Sequence, residues 1–123
     1  IASLAAILPA PRYAVYSATK AYVQRFSEIL GYELRQTNIR VTCSCPGGVL
    51  TEFMENAGQE LKGDTGMMAS EDVARLSVEA MLAGQAVYVP GMLNKVSTLV
   101  RFLPRALKMR LVEKSMLVTV KDK

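Results

Sequence analysis

The chain has 123 residues, half of them apolar, with fifteen Lys and Arg against eleven Asp and Glu, two Cys and no His. A Ser-His-Asp or Cys-His nucleophile and an H-E-x-x-H zinc site each need an imidazole, so the composition excludes these classes of site. Two cysteines are too few for a structural zinc site with four ligands. No metal site is therefore predicted, and proton chemistry falls to Asp, Glu, Lys, Tyr or Cys.

The chain opens on an apolar run and continues into a long helix. Residues 1–8 are apolar apart from one serine and begin on Ile rather than Met. No basic region precedes the run as a secretory signal peptide would require, and we expect the sequence to start inside a longer protein. Residues 16–36 predict a helix, because apolar side chains recur at spacings of three and four. Its expected buried face consists of Val23, Phe26, Leu30 and Leu34.

The middle of the chain predicts two strands around a loop and a second helix. Residues 39–45 are rich in β-branched side chains and predict a strand that ends at a Pro-Gly-Gly turn. Residues 50–69 predict a long loop, or a loop with short helical pieces, and such loops are usually functional. A helix follows that Ser70 caps and Gly84 ends. Residues 86–89 then predict a short buried strand.

The alternation of strands and helices predicts the fold class. It is the pattern of βαβ units around a parallel sheet, so we expect an α/β fold with right-handed crossovers. Cys43 and Cys45 lie on one face of the second strand, at the limit of disulfide reach. They are predicted to be free thiols in a reducing compartment, the cytoplasm.

The last segment, residues 92–123, carries eight Lys or Arg and two acids, so the basic character of the chain lies in this tail. One interpretation is an amphipathic basic helix that touches a membrane surface or an acidic partner. The other, which we favour, is a helix pair docked on the domain with its basic face in water. Nucleic acid is not predicted as a partner, since no recognition motif accompanies the charge. The apolar stripe consists of Met92, Leu93, Val96, Leu99, Val100 and Leu103, and the basic face of Arg101, Arg105 and Lys108.

Tyr16 and Lys20 are the best candidates for acid–base chemistry. They lie four residues apart, one turn from each other on the same helix face. An ammonium group within reach favours the phenolate of a tyrosine. Alone, however, this spacing also fits an ordinary surface pair. Ser3 and the Pro46–Thr51 segment strengthen the functional interpretation, because each follows a predicted strand at its carboxyl end, where open α/β sheets bind ligands.

Together these elements resemble the short-chain dehydrogenase/reductase family. The resemblance rests on Ser3, Tyr16-Ser17-Ala18-Thr19-Lys20, Ile39-Arg40-Val41 and Pro46-Gly47-x-Val49-x-Thr51, in family order and spacing, and it covers residues 1 to about 91. It implies part of a Rossmann-like, doubly wound parallel sheet in three α/β/α layers. Residues 1–91 would be the C-terminal half of that domain, and residues 92–123 a basic helical tail packed on it or extending from it.

The resemblance also implies a role for each matching residue. Tyr16 would be the general acid and base of hydride transfer between a nicotinamide cofactor and an alcohol or carbonyl compound. Lys20 would support the phenolate and bind the nicotinamide ribose, and Ser3 would hold the substrate oxygen. The residues expected to line the nicotinamide are Pro46, Gly47, Val49 and Thr51, with NADP as the cofactor and NAD as the alternative.

Some family features are absent from this sequence. The eight glycines contain no G-x-G-x-x-G fingerprint, and no Asn-Asn-Ala-Gly segment occurs, so we expect the dinucleotide-binding half to lie outside these residues. The resemblance implies a homo-oligomer and a small, apolar substrate. The alternative is a non-catalytic interaction module that uses its helices and basic tail for assembly or for contact with a membrane surface. The side chains expected to line a substrate pocket under the loop are Phe53, Met54, Met67 and Met68.

Overall fold

The computed structural model describes residues 1–50 and 67–119, and the side chains up to residue 116. The helices are α1 (Leu4–Ile7), α2 (Ala14–Glu33), α3 (Ser70–Leu82), α4 (Met92–Ser97) and α5 (Arg105–Thr119), with 3-10 turns at Leu34–Gln36 and Thr98–Phe102. The strands are β1 (Cys43–Ser44), β2 (Val49–Leu50), β3 (Met68–Ala69) and β4 (Val87–Tyr88).

Strand β1 lies between two parallel neighbours. On one side it pairs with β4, with Cys43 opposite Val87. On the other side the first residues of the chain run alongside it, because Ala2 N donates to Ser44 O at 2.8 Å and Leu4 N to Pro46 O at 2.7 Å. Evenly spaced bonds from every second residue are the pattern of a parallel pair. The predicted parallel arrangement of the three segments is therefore confirmed.

Helices cover both faces of these strands. Cys43 and Cys45 point to one face, where they form a buried cluster with Ala2, against which Ile7 of α1 and Val23 of α2 pack. Ser44 points to the other face, where its Oγ lies 2.8 Å from Ser77 Oγ of α3. Because successive side chains of a strand alternate between faces, α1 and α2 lie on one side and α3 on the other. The described residues thus have the α/β/α layering expected from the sequence.

Helix α2 confirms the predicted helix but not its whole buried face. Val23 and Leu30 are half-buried, whereas Phe26 is 53% exposed and stacks on Tyr22 with ring centroids 6.1 Å apart. The buried face includes small residues such as Gly31, where a Cβ would lie only 3.5 Å from the Cβ of Val41. The helix approaches the chain closely along this side, and Phe26 lies off it.

Several predicted boundaries were wrong. The strand predicted over 39–45 is paired only at its end, as β1. Strand β4, its described partner, reaches only as far as the 43–45 region, and Ile39 is 58% exposed. Ala69 rather than Ser70 is the N-cap of α3, since the extended strand β3 runs up to Ala69 and the helix begins directly after it. The ends of the predicted loop 50–69 are also strands, with β2 and β3 paired in parallel.

The end of α3 is as predicted. Gly84 adopts a positive φ of 74°, and its N–H donates to Met81 O at 3.0 Å, which closes the helix. A residue in the left-handed region after a helix is usually glycine, since it has no Cβ to clash.

Only the later part of the apolar stripe of the tail meets the domain, since Val100 and Leu103 are half-buried. The 3-10 turn Thr98–Phe102 contacts α1. The residue of α4 that packs against the strand ends is instead polar, Asn94, which lies over Gly47. No helix among the described residues has both the length and the apolar character to cross a membrane. The stripe residues that are more than half exposed are Met92, Leu93, Val96 and Leu99.

Candidate active site

Ser3 lies where the first extended segment meets the end of β1. Its backbone is extended (φ −163°, ψ 160°), and its side chain caps α1 by accepting from Ala5 N at 3.2 Å. The next residue, Leu4, donates its N–H to Pro46 O at 2.7 Å. Two of the predicted site segments, Ser3 and the Pro-Gly turn, therefore lie side by side at the carboxyl ends of adjacent parallel strands. Ligands of open α/β sheets bind at such an edge.

Tyr16 lies in the first turn of α2, with its side chain 43% exposed. An exposed phenol is accessible to a small molecule, which a buried core tyrosine is not. Lys20 follows one turn later and is half-buried. Its ammonium nitrogen lies 5.7 Å from the centroid of the Tyr16 ring, within the range of a cation–π contact. The two side chains that the spacing predicted to be neighbours are thus brought together.

A hydrogen bond from Ser17 connects the turn that carries Tyr16 to the helix that Ser3 caps. Ser17 Oγ donates to Ala5 O at 2.6 Å, while the N–H of the same residue, Ala5, donates to Ser3 Oγ. The carbonyl and N–H of Ala5 therefore connect the turn that carries Tyr16 to the segment that carries Ser3. In the sequence, Ser17 stands only as part of the Tyr16–Lys20 motif, and no role is predicted for it. Its partner is a backbone carbonyl, which no residue type marks, so the sequence carried little signal for it.

The Pro-Gly turn after β1 is the third part of the site. Pro46 and Gly47 are half-buried, Gly48 is exposed, and Val49 pairs with Met68 as the first residue of β2. Both glycines lie close to other chain segments. A Cβ at Gly48 would lie 3.0 Å from Met67 Cγ, and one at Gly47 would overlap the amide of Asn94.

Some predicted site residues lie outside the described part of the chain. Thr51, expected to line the nicotinamide, is one of them, and so are Phe53 and Met54 of the expected pocket. Met67 and Met68 are described, and both are half-buried against glycines.

A pair of buried thiols lies directly behind the site. Cys43 and Cys45 are free, as predicted, with their sulfurs 3.9 Å apart. Burial, with a smaller contribution from the neighbouring Cys43, raises the pKa of Cys45 from 9.0 to about 12. A thiol with so high a pKa is protonated near neutral pH and is a poor nucleophile. These cysteines are therefore part of the core rather than of the chemistry.

The described residues contain no group of three or more Cys, Asp or Glu side chains placed to hold a metal ion. What they do offer is a hydroxyl (Ser3), a phenol (Tyr16) and an ammonium (Lys20), supported by a turn with little side-chain bulk. This set can donate a proton to an oxygen atom and can bind hydroxyl groups.

Comparisons with known proteins point in the same direction. The family described as short chain dehydrogenase matches residues 1–62. A short-chain type dehydrogenase/reductase of Picea abies is 36% identical over 84 residues, which cover 62% of this chain and 31% of that protein. Sulfoacetaldehyde reductase 2 of Chromohalobacter salexigens is 39% identical over 83 residues, 62% of this chain and 33% of that protein.

A third relative matches over a longer part of the chain. An uncharacterized oxidoreductase of Myxococcus xanthus is 32% identical over 108 residues, which cover 87% of this chain and 42% of that protein. The chain thus spans between about a third and two-fifths of the length of these curated relatives. No solved structure matches it.

Proposed function

Because this chain belongs to the short-chain dehydrogenase family, we propose that it takes part in hydride transfer between a nicotinamide dinucleotide and an alcohol or carbonyl compound. The observation that carries the proposal is the 2.6 Å bond from Ser17 to Ala5, which couples the turn of Tyr16 to the helix capped by Ser3. This bond connects the turn that carries the proton donor, Tyr16, to the segment that carries Ser3, whose hydroxyl can hold the substrate oxygen.

The residues at the strand edge fit a nicotinamide dinucleotide in their chemistry. The exposed Gly48 leaves the turn without a side chain on which a flat ring would clash. Lys20 would donate to the hydroxyls of the nicotinamide ribose, and the backbone of Pro46 to Val49 would line the carboxamide, together with the hydroxyl of Thr51. When bound, the reduced cofactor supplies the hydride. We propose NADP as the cofactor, with NAD as the alternative.

Tyr16 would move the proton of the reaction. In the reducing direction its phenol donates a proton to the substrate oxygen as the carbonyl carbon gains a hydrogen and the C=O double bond becomes a single bond. The Lys20 ammonium, 5.7 Å from the ring centroid, stabilises the phenolate that remains. In the oxidising direction the phenolate accepts the alcohol proton. General acid–base catalysis of this kind contributes typically ~10² to 10⁴ in rate.

The phosphates of the cofactor need a second part of the protein. The 123 residues contain no glycine fingerprint of the kind that holds a pyrophosphate at a helix N-terminus. We propose that a segment preceding these residues supplies it, and that hydride transfer takes place in the polypeptide that carries both parts. We propose also that the substrate is small and apolar and that the enzyme is a homo-oligomer.

Isotope transfer tests the reaction class. The full-length protein is incubated with NADPH deuterated at C4 of the nicotinamide and with a panel of aldehydes and ketones. We expect deuterium on the former carbonyl carbon of the alcohol product, measured by mass spectrometry. An alcohol product without deuterium on the former carbonyl carbon would refute the proposal. So would the absence of any product, with either NADPH or NADH, across the panel of carbonyl compounds.

The second candidate is an interaction module without catalysis, which one observation favours. The tail exposes Met92, Leu93, Val96 and Leu99 beside basic residues. Titration of the full-length protein with NADPH, followed by fluorescence, separates the candidates, since a non-catalytic module would show no binding. Sedimentation with anionic liposomes tests the membrane-surface form of this candidate. A tail that contacts membranes would carry the protein into the pellet, and less so at high salt.

A further inference from the structure

The tail helix α4 contacts the Pro-Gly turn through the side chain of Asn94. A Cβ placed on Gly47 would lie 2.5 Å from Asn94 Oδ1 and 2.7 Å from both Cγ and Nδ2. All three distances are shorter than real Cβ contacts, so the whole carboxamide of Asn94 lies against the α-carbon of Gly47. No side chain fits at position 47 while Asn94 keeps this position.

Asn94 is held in place from its own side. Its side-chain Nδ2 donates to Pro90 O at 2.8 Å, and its backbone carbonyl accepts from Ser97 Oγ at 2.7 Å within the same helix. Pro90 is fully buried, so the acceptor is fixed. Gly91, with φ 86°, begins α4 and lets the chain turn sharply toward the site. The hydrogen bond to Pro90 therefore holds the Asn94 carboxamide in place beside Gly47.

We propose that Asn94 is a positioning residue that holds the turn Pro46-Gly47-Gly48 in the shape that receives the nicotinamide. The inference rests on the proposed function and extends it to the tail. Asn94 acts through the turn and need not touch the substrate or the cofactor. It also gives a physical reason for a glycine at position 47, which is the space occupied by the Asn94 amide.

This proposal assigns a role to the start of the tail. Residues 92–97 would be part of the active-site scaffold, and the position of the cofactor turn would depend on a residue 47 positions later in the sequence. Variation in the first turns of the tail would then change the affinity for the cofactor more than the chemical step.

A double-mutant cycle tests the pairing in the full-length protein. Gly47→Ala should raise KM for NADPH by at least about tenfold, because the added methyl group displaces the turn from Asn94. Asn94→Ala removes all three atoms that the methyl group would meet. In the double variant Gly47→Ala/Asn94→Ala, KM should return to within about threefold of the Asn94→Ala value, a coupling expected only of residues in contact. Throughout the cycle kcat should change less than KM.

Two further variants separate positioning from general destabilisation. Gly48→Ala meets Met67 and not Asn94, so its effect on KM should be the same with and without Asn94→Ala. Asn94→Asp keeps the shape of the side chain but cannot donate to Pro90 O, so it should raise KM for NADPH without relieving the effect of Gly47→Ala. If Asn94 had a merely structural role, the variants with the larger increase in KM would also show the larger decrease in the thermal midpoint of unfolding.

The outcomes distinguish failure of this inference from failure of the proposed function. If the wild-type protein turns over but Gly47→Ala has wild-type KM, or is impaired equally in both backgrounds, Asn94 does not position the turn. If the wild-type protein has no nicotinamide-dependent activity, the proposed function fails. The cycle is then followed by thermal unfolding, where absence of a Gly47–Asn94 coupling would overturn the contact itself.

Discussion

Ser17 shows how one hydroxyl can set the position of a reactive neighbour. Its Oγ bonds the Ala5 carbonyl at 2.6 Å across two helices, whereas Thr19 and Ser27 use their hydroxyls for carbonyls within α2. The Ser17 bond thus connects α2 to the segment of Ser3, in addition to the packing of Ile7 and Val23 on a common cluster. Small displacements of reacting groups can lower rates strongly, so the bond bears on catalysis as well as on stability.

We predict that Ser17→Ala lowers the free energy of unfolding by about 1 kcal/mol and lowers kcat by about tenfold. The loss of stability reflects one partly buried hydrogen bond, and the loss of rate reflects the freedom that Tyr16 gains. Urea unfolding and steady-state turnover measure the two effects. Ser27→Ala is the matched control, since it removes a hydroxyl from the same helix but no bond between elements. Equal effects of the two variants on kcat would contradict the prediction.

The buried thiol of Cys45 makes the free energy of unfolding depend on pH. Its thiol has a pKa of about 12 in the folded protein against 9.0 as the ordinary value, chiefly because of burial. Above about pH 9 the unfolded chain loses this proton while the folded protein retains it, so stability must fall as pH rises toward 12 and is unaffected below 9. We predict a decrease of up to about 1.4 kcal/mol per pH unit from this group.

The contribution of Cys45 is obtained by comparison with Cys45→Ala, because other groups titrate in the same range. Urea unfolding of both proteins at about pH 8, 9 and 10 gives the two slopes. The variant should be less stable at pH 8 from lost packing, but its stability should fall less steeply above pH 9. Parallel slopes would show that the thiol titrates alike in both states.

Helix α3 is connected to strand β1 by a hydrogen bond between two serine hydroxyl groups. Ser77 Oγ donates to Val73 O at 2.6 Å, so the proton of the 2.8 Å contact with Ser44 must come from Ser44. Ser44 is only 6% exposed. A buried hydroxyl without a partner is costly, so this pair contributes to the register between helix and strand.

We predict that Ser77→Ala lowers the free energy of unfolding by about 1 to 3 kcal/mol, since it leaves the Ser44 hydroxyl unpaired. The double variant Ser44→Ala/Ser77→Ala should be more stable than Ser77→Ala alone, because no polar group then remains in the gap. Urea midpoints of the three proteins test this. A double variant less stable than either single variant would show that the two hydroxyls act independently.

Local patterns predicted the elements, and contacts between distant segments decided their details. The spacing of Tyr16 and Lys20, the glycine after α3 and the apolar end of the second strand are visible within a few residues. The exposure of Phe26 depends on which face of α2 packs against the strands, and the N-cap of α3 depends on where β3, which pairs with β2, ends. Neither relation is present in a local window, so the sequence placed Phe26 and Ser70 wrongly.

The same division holds at the candidate site. Tyr16, Lys20 and Ser3 are predicted from the sequence because their types and spacing carry chemistry. Ser17 and Asn94 were missed because they act on backbone atoms of Ala5, Pro90 and Gly47. A hydrogen bond to a carbonyl or a contact with an α-carbon leaves no trace in the types of the residues involved. Such contacts require coordinates.

The whole molecule combines a layered α/β body with a basic tail whose first helix returns to the strand edge. Three parallel segments bring Ser3, the Pro-Gly turn and β4 together, and the Ser17 bond to Ala5 connects the first turns of α2, which carry Tyr16 and Lys20, to the segment of Ser3. An ion pair between Arg12 and Glu113, 3.7 Å apart, adds a second contact between the tail and the loop that precedes α2. Such an exposed pair contributes at most about 1 kcal/mol, so it adds little to the contacts that Asn94 makes with Gly47 and the Thr98–Phe102 turn makes with α1.

The central claim is that Tyr16 transfers the proton of a nicotinamide-dependent reaction, and Tyr16→Phe in the full-length protein tests it most directly. Tyr22→Phe is the matched control, because Tyr22 lies on the same helix, is 70% exposed and loses the same hydroxyl. We predict that Tyr16→Phe lowers kcat by about 10² to 10⁴ while the affinity for NADPH, measured by fluorescence titration, stays within about threefold. Turnover at the wild-type rate in Tyr16→Phe would contradict the account.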